Sequence, residues 1–318
     1  MTHLRPYALP ALALAASAAA APLAQAQSTV VRFTTNAIPA GETEPVFFDI
    51  QLFGNEAPLH EQNFLSYVND GRYDDQIIHR LIPGFVVQGG GFTFPTPAGQ
   101  TAGANMRQID TDPQVPSENP NGLSNTRGFV ALAQSNFPGT STSNPDSGDS
   151  QWFINYGDNS SLDAPANGSF TVFGRVVRGT MDVVDSLAGL GTGDFTLGVE
   201  TPEGAVFGQP FQNVPFFPGG GFLFISDAAI VDPIAASDFN GDGVVDLLDF
   251  DTLAFAFGGP GTAVSGDANG DADVDLLDFD ALAFEFGDSS LPPAAVPEPA
   301  SAALLGLAAL ALTRRRRA

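Results

Sequence analysis

The residues whose spacing could hold a metal ion fall in two copies of one pattern. Asp238, Asn240, Asp242, Val244, Asp246 and Asp249 occupy positions 1, 3, 5, 7, 9 and 12 of a loop, and Asp267, Asn269, Asp271, Asp273, Asp275 and Asp278 repeat them 29 residues later. Oxygen ligands at 1, 3, 5, 9 and 12, with a main-chain carbonyl at 7, form the donor set of a hard Ca²⁺ ion. The repeat continues through Phe250 and Phe279, Leu253 and Leu282, and Phe257 and Phe286. Each loop is therefore expected to lead into a short helix, the two helices burying each other's apolar faces. A disordered acidic linker would not repeat in register. Position 12 carries Asp rather than Glu, and Ala272 stands where the first loop has Gly243. A turn with φ > 0 at Ala costs about 1 kcal/mol, so the second loop is expected to bind Ca²⁺ more weakly.

The bases are as informative as the acids. The chain of 318 residues has 36 Asp and Glu against 12 basic residues, a net charge of −24, and every base is Arg. Arg5 lies near the start and Arg314 to Arg317 near the end, leaving seven in the middle. Without Cys there are no disulfides or thiolate metal sites, and without Lys no Schiff base or phosphate-loop lysine. A nucleic-acid backbone would find no basic surface. His60 and His79 lack a third partner at zinc spacing, and no Ser-His-Asp arrangement is evident. The acidity fits solubility or a saline habitat equally. Arg80 lies in an apolar strand segment, where a guanidinium is either the partner of an acid or a donor held for chemistry.

These residues need elements to position them. Phe48, Ile50 and Leu52 alternate with Asp49 and Gln51, a strand with one buried face. Pro58 suits the first turn of a helix with Phe64, Leu65 and Val68 on one side, and Gly71 stops it. Strands are expected at Ile77–Leu81, Phe85–Gln88, Phe129–Ala133, Trp152–Asn155 and Phe170–Val177. A second helix is expected around Met181–Ala188, and Phe222–Val231 closes the unit. Residues 189–221 read as an irregular Gly-, Pro- and Phe-rich stretch. Many strands with two helices favour a closed antiparallel barrel over a layered α/β fold.

The two ends read as addresses. Residues 1–26 have a short polar start, an apolar run over Ala8–Ala21 and the small-x-small pattern Ala24, Gln25, Ala26, as in a secretory signal. At the other end Pro297, Glu298 and Pro299 precede the apolar run Ala300–Leu312 and four arginines. Thirteen residues are short for a bilayer span of roughly 20, although the basic tail suits a short membrane anchor. This order resembles the PEP-CTERM sorting signal of bacterial envelope proteins, which implies processing by an exosortase.

The segment from Tyr73 through His79, Arg80, Pro83, Phe85 and Gln88 to Gly90 resembles the signature of cyclophilins, the peptidyl-prolyl cis-trans isomerases. Gly128–Gln134, Ser150–Asn155, Leu162 with Asp163, and Phe170–Gly174 follow in that family's order. The resemblance implies an eight-stranded antiparallel β-barrel with two helices and no catalytic cofactor. It implies Arg80 as the catalytic donor, with Phe85, Val86, Phe153, Leu162 and Phe170 around the target proline. Gln88, Ala133 and Gln134 would hold the peptide, supported by His79 and Gln151. Phe170 stands where many members have His, which keeps the wall apolar, and Ser161 where several have Trp, which predicts weak cyclosporin binding. The acidic repeats resemble a type I dockerin, an EF-hand-like helical module whose implied partner is a cohesin. A Ca²⁺-stiffened spacer is an alternative use of the same repeats.

The expected organisation is a signal at 1–26, an isomerase domain at 28–232, a linker at 233–237, the calcium repeats at 238–288, a second linker at 289–295 and the sorting segment at 296–318. The expected protein is an exported bacterial envelope or extracellular isomerase acting on proline-containing polypeptides. A non-catalytic peptide-binding or attachment protein is the alternative from another class.

Overall fold

The computed structural model describes residues 28–94, 105–218 and 220–289. The expected secretory signal and sorting segment lie outside the described residues. In chain order the strands are β1 (Ser28–Thr35), β2 (Phe47–Leu52), β3 (Gln76–Ile77), β4 (Arg80–Ile82), β5 (Val86–Gly89), β6 (Phe92–Thr93), β7 (Met106–Gln108), β8 (Phe129–Leu132), β9 (Trp152–Asn155), β10 (Val172–Val177), β11 (Gly191–Glu200), β12 (Val206–Phe216) and β13 (Phe224–Ile234). The α-helices are α1 (Pro58–Asn69), α2 (Met181–Ala188), α3 (Leu247–Ala256) and α4 (Leu276–Glu285).

The strands form one sheet in the order β12-β11-β7-β6-β3-β13-β1-β2-β10-β8-β9-β5-β4. Its ends, β12 and β4, come side by side without a hydrogen-bonded ladder, so the sheet curls into a near-closed barrel. The expected mainly-β barrel is present, but with thirteen strands rather than eight. Two causes account for three of the five additional strands, and the short β6 and β7 supply the other two. The expected strand Ile77–Leu81 breaks after Ile77, β3 pairing with β13 and β6 while β4 pairs with β5. The stretch read as irregular instead forms the long β11–β12 hairpin, whose Leu197, Val199, Phe211 and Val214 build a second core together with Ile77, Phe92 and Met106.

Inside the barrel, Phe33, Phe48, Ile50, Leu52, Trp152 and Phe173 are buried in one cluster. Phe33 stacks on Phe48 at 5.5 Å and meets Trp152 at 5.2 Å, contacts worth more than their area alone. Helix α1 starts at Pro58, whose missing N–H costs nothing in a first turn, and buries Phe64, Tyr67 and Val68 against the same cluster. Helix α2 adds Val184 and Leu187.

The expectation that β2 buries one face only is corrected. Asp49 and Gln51 are buried as fully as their apolar neighbours. Asp49 accepts from Arg32 and Arg178, and Gln51 accepts from Arg175 at 2.7 Å. Arginines thus cover the polar side of the strand, and beyond them lies the acidic repeat module. Arg175 donates to the carbonyls of Phe239 at 2.6 Å and Asp238 at 2.9 Å, joining β10 to the first loop. Within residues 233–237, Ile234 ends β13 and Ser237 is buried, donating its N–H to Glu285.

Candidate active site

Strand register puts the central residues in one row. Arg80 on β4 pairs with Gln88 on β5, Gln88 with Phe153 on β9, and Phe153 with Ala131 on β8. Directly paired residues project to the same side of a sheet, so this row crosses four strands on the face away from the barrel core. Val86, Ala131 and Phe153 are buried there, with Phe85, Ala133, Leu162 and Phe170 packed against them. Together Arg80, Phe85, Val86, Gln88, Ala133, Gln134, Phe153, Leu162 and Phe170 line a cavity of about 140 Å³. Phe153 and Phe170 meet edge to face at 5.6 Å.

Among the described residues Arg80 is the only charged member of that lining. Its guanidinium lies 5.5 Å from the Phe85 ring centroid and donates to Gln88 at 3.3 Å. Gln88 donates in turn to Gln151 at 3.1 Å. Burial holds the Arg80 pKa below the ordinary arginine value, with no carboxylate acting to raise it. The cation is therefore held by an amide relay, with most of its donors left for a ligand.

The loop side of the cavity rests on buried amides that the sequence did not single out. Asn155 donates to Asn125 at 3.0 Å, and Asn159 donates to Asn155 at 2.9 Å and to the Phe85 carbonyl at 2.8 Å. Asp163 accepts from the Asn125 side chain and the Ser124 hydroxyl, pinning the turn that carries Leu162. Three asparagines in loops or at a strand end read as turn formers, and only the fold reveals them as a network. Gly90, with φ of 78°, lets β5 pass so close to the Ser150 carbonyl that any Cβ would strike it.

His79 and Gln151 lie outside this cavity, in a neighbouring cleft of about 400 Å³ that shares Arg80 and Gln88. Its far wall is Gln209, Pro210, Phe211 and Gln212 of β12, which sequence reading passed over. His79 is buried, and burial pushes its pKa down to about 4, so the ring is neutral near pH 7.

The two acidic loops fold alike. Asp238 accepts from the N–H groups of Gly241 and Gly243, and Asp267 from those of Gly270 and Ala272. Asp249 accepts from Asn240 and Asp246, and Asp278 from Asn269 and Asp275. Asp246 and Asp275 cap the helices that follow, each in a reciprocal capping box. Ala272 adopts φ of 71° where Gly243 has 95°, the left-handed turn anticipated at that position. Among the described residues no three His, Asp or Glu side chains converge as a metal-holding group. The expectation of such a set is not carried by the structure, where these carboxylates turn instead onto backbone N–H groups.

Comparison with known proteins adds a family. Residues 38–203 match the model of "Cyclophilin type peptidyl-prolyl cis-trans isomerase/CLD", and residues 295–317 match the PEP-CTERM protein-sorting motif. Over 156 residues the chain is 40% identical to a peptidyl-prolyl cis-trans isomerase of Acinetobacter baylyi, covering 49% of this chain and 73% of that one. It is 37% identical over 205 residues to peptidyl-prolyl cis-trans isomerase A of Dickeya dadantii, covering 64% and 85%. A third similar protein is peptidyl-prolyl cis-trans isomerase B of Escherichia coli, 37% identical over 158 residues, covering 48% and 85%.

Proposed function

Since the chain belongs to the cyclophilin-type peptidyl-prolyl cis-trans isomerase family and is an enzyme of that type, we propose that Arg80 supplies its transition-state stabilisation, on proline-containing polypeptides that are themselves exported. The PEP-CTERM motif supports that setting, since it suggests an exported, envelope-associated bacterial protein. Among the described residues no helix is long and apolar enough to cross a membrane.

Rotation about an X-Pro bond meets a barrier of about 20 kcal/mol because amide resonance must be lost. No proton transfer or covalent intermediate is needed. At the twisted geometry the prolyl nitrogen is pyramidal and carries a lone pair that the planar amide lacks. A fixed guanidinium donates to that lone pair and so binds the twisted state better than the ground state. Val86, Phe153, Leu162 and Phe170 would hold the pyrrolidine ring while the Gln88–Gln151 relay and the main chain near Ala133 keep the flanking peptide in place.

One observation carries this reading: Arg80 is half-buried beside an apolar cavity with an amide, not a carboxylate, as its partner. Arg80→Ala in the full chain is expected to lower turnover of a proline peptide by about 100-fold with an unchanged circular dichroism spectrum. Unchanged turnover in the folded variant would overturn the assignment.

The acidic repeats we read as Ca²⁺ loops, in support of which stand their oxygen donors and the left-handed turn at Gly243 and Ala272. A bound ion would offset part of the loops' negative charge. Exposed Leu247 and Phe255 on α3 and Leu276 and Phe284 on α4 support docking to a protein of the cohesin kind. Calorimetric titration of chelator-treated full chain with Ca²⁺ is expected to show two unequal sites, the Ala272 loop being weaker. Two equal sites would contradict the ranking, and no binding would remove the reading.

A further inference from the structure

We propose that the cleft between Arg80 and the β11–β12 hairpin is a second peptide subsite, taking a carboxylate or carboxamide side chain from a residue flanking the target proline. This rests on the isomerase reading of the same site. The cleft, about 400 Å³, is nearly three times the volume of the proline cavity and shares Arg80 and Gln88 with it. A peptide with its proline ring in the smaller cavity passes Arg80 and Gln88 before reaching the larger one.

The chemistry of the lining selects the occupant. Gln88 and Gln151 face it from the barrel and Gln209 and Gln212 from the hairpin, with Arg80 between. Four primary amides and one guanidinium offer an excess of N–H donors. Among the described residues not one Asp or Glu lines the cleft, in a chain with 36 of them. A carboxylate or carboxamide oxygen there gains charge-assisted bonds and meets no like charge, whereas an ammonium meets Arg80 with nothing to neutralise it. The Nδ1 of buried His79, another lining residue, has no hydrogen-bond partner among the described residues.

The wall is built to stay in place. Phe211 is buried, with its ring 5.1 Å from Phe92 and 6.0 Å from His79, both edge to face. Asn213, at φ of 57°, donates its N–H to Asp194 where the hairpin register shifts. Gln212 is exposed and Gln209 half-buried, so these two side chains read the ligand without supporting the core.

The test measures kcat/KM for proline peptides with Ala, Glu, Gln or Lys placed in turn at each flanking position, using the full chain. Glu and Gln are expected to exceed Lys by about tenfold at one position, the difference lying in KM. In the Gln209→Ala, Gln212→Ala double variant that ratio should fall to within about twofold, and Gln212→Glu should shift preference toward Lys. Equal turnover of all peptides by the unaltered protein would overturn the subsite while leaving the isomerase reading intact. So would an unchanged ratio in both variants. Absence of turnover on every peptide would overturn both.

Discussion

Arg80 and His79 are adjacent in sequence and burial lowers the pKa of both, yet with different consequences. An arginine remains a cation after a downward shift, so Arg80 keeps its charge. A histidine with pKa pushed down to about 4 is neutral through the working range. Its free pKa is about 6.5, so the folded state binds fewer protons than the unfolded chain between those values. The sign follows: stability is full above about pH 6.5 and is lost as pH falls towards 4. Between pH 7 and 5 this single group should cost about 2 kcal/mol. Urea midpoints measured at the two pH values, for the protein and for His79→Asn, check this. The variant should lose that part of the pH dependence, and an identical dependence would assign it to other groups.

The β11–β12 hairpin is the element that most changes the site. Its buried Phe211 joins Phe92 and His79 across the cleft and belongs to the apolar core that the hairpin shares with Ile77, Phe92 and Met106. Phe211→Ala is expected to cost about 3 kcal/mol, measured by chemical denaturation, with loss of the peptide preference described above. A change under 1 kcal/mol would show that the hairpin wall is not held through this ring. Sequence pattern found β2, β9 and β10 better than this pair, for a physical reason. Strands β2, β9 and β10 bury hydrophobic runs in the barrel, and their apolar spacing is visible without the fold. Gly191, Gly193, Gly198 and Gly208 interrupt the hairpin's apolar residues, and Pro210 and Pro215 read as breakers. The cavity was legible because its lining came as contiguous segments around Arg80, Phe153 and Phe170. Asn125, Asn155 and Asn159 were not, since an amide network forms only after distant loops meet.

At the scale of the whole molecule, barrel and repeats share polar groups rather than meeting only at a hinge. Arg175 is buried in the wall of β10, and burial pushes its pKa down to about 10 against the pull of Asp238, Asp249 and Asp242. The partners of its guanidinium beyond Gln51 are two carbonyls of the first loop. A chain ending at Ile234 would leave that buried cation short of acceptors. Its barrel is expected to be about 3 kcal/mol less stable than in the full protein, measured by thermal unfolding. Equal midpoints would show that the barrel is self-sufficient. The acids of the first repeat thus sit beside a cation that the barrel supplies.

This tie also sets an order in time. A chain delivered N-terminus first presents residue 175 long before residues 238 and 239, which its guanidinium needs. The early-arriving barrel must wait, with one charged group incompletely housed, until the late-arriving loop reaches it. Full housing of that cation therefore follows delivery of the chain through residue 239, which lies ahead of the second acidic loop and of the sorting motif at 295–317.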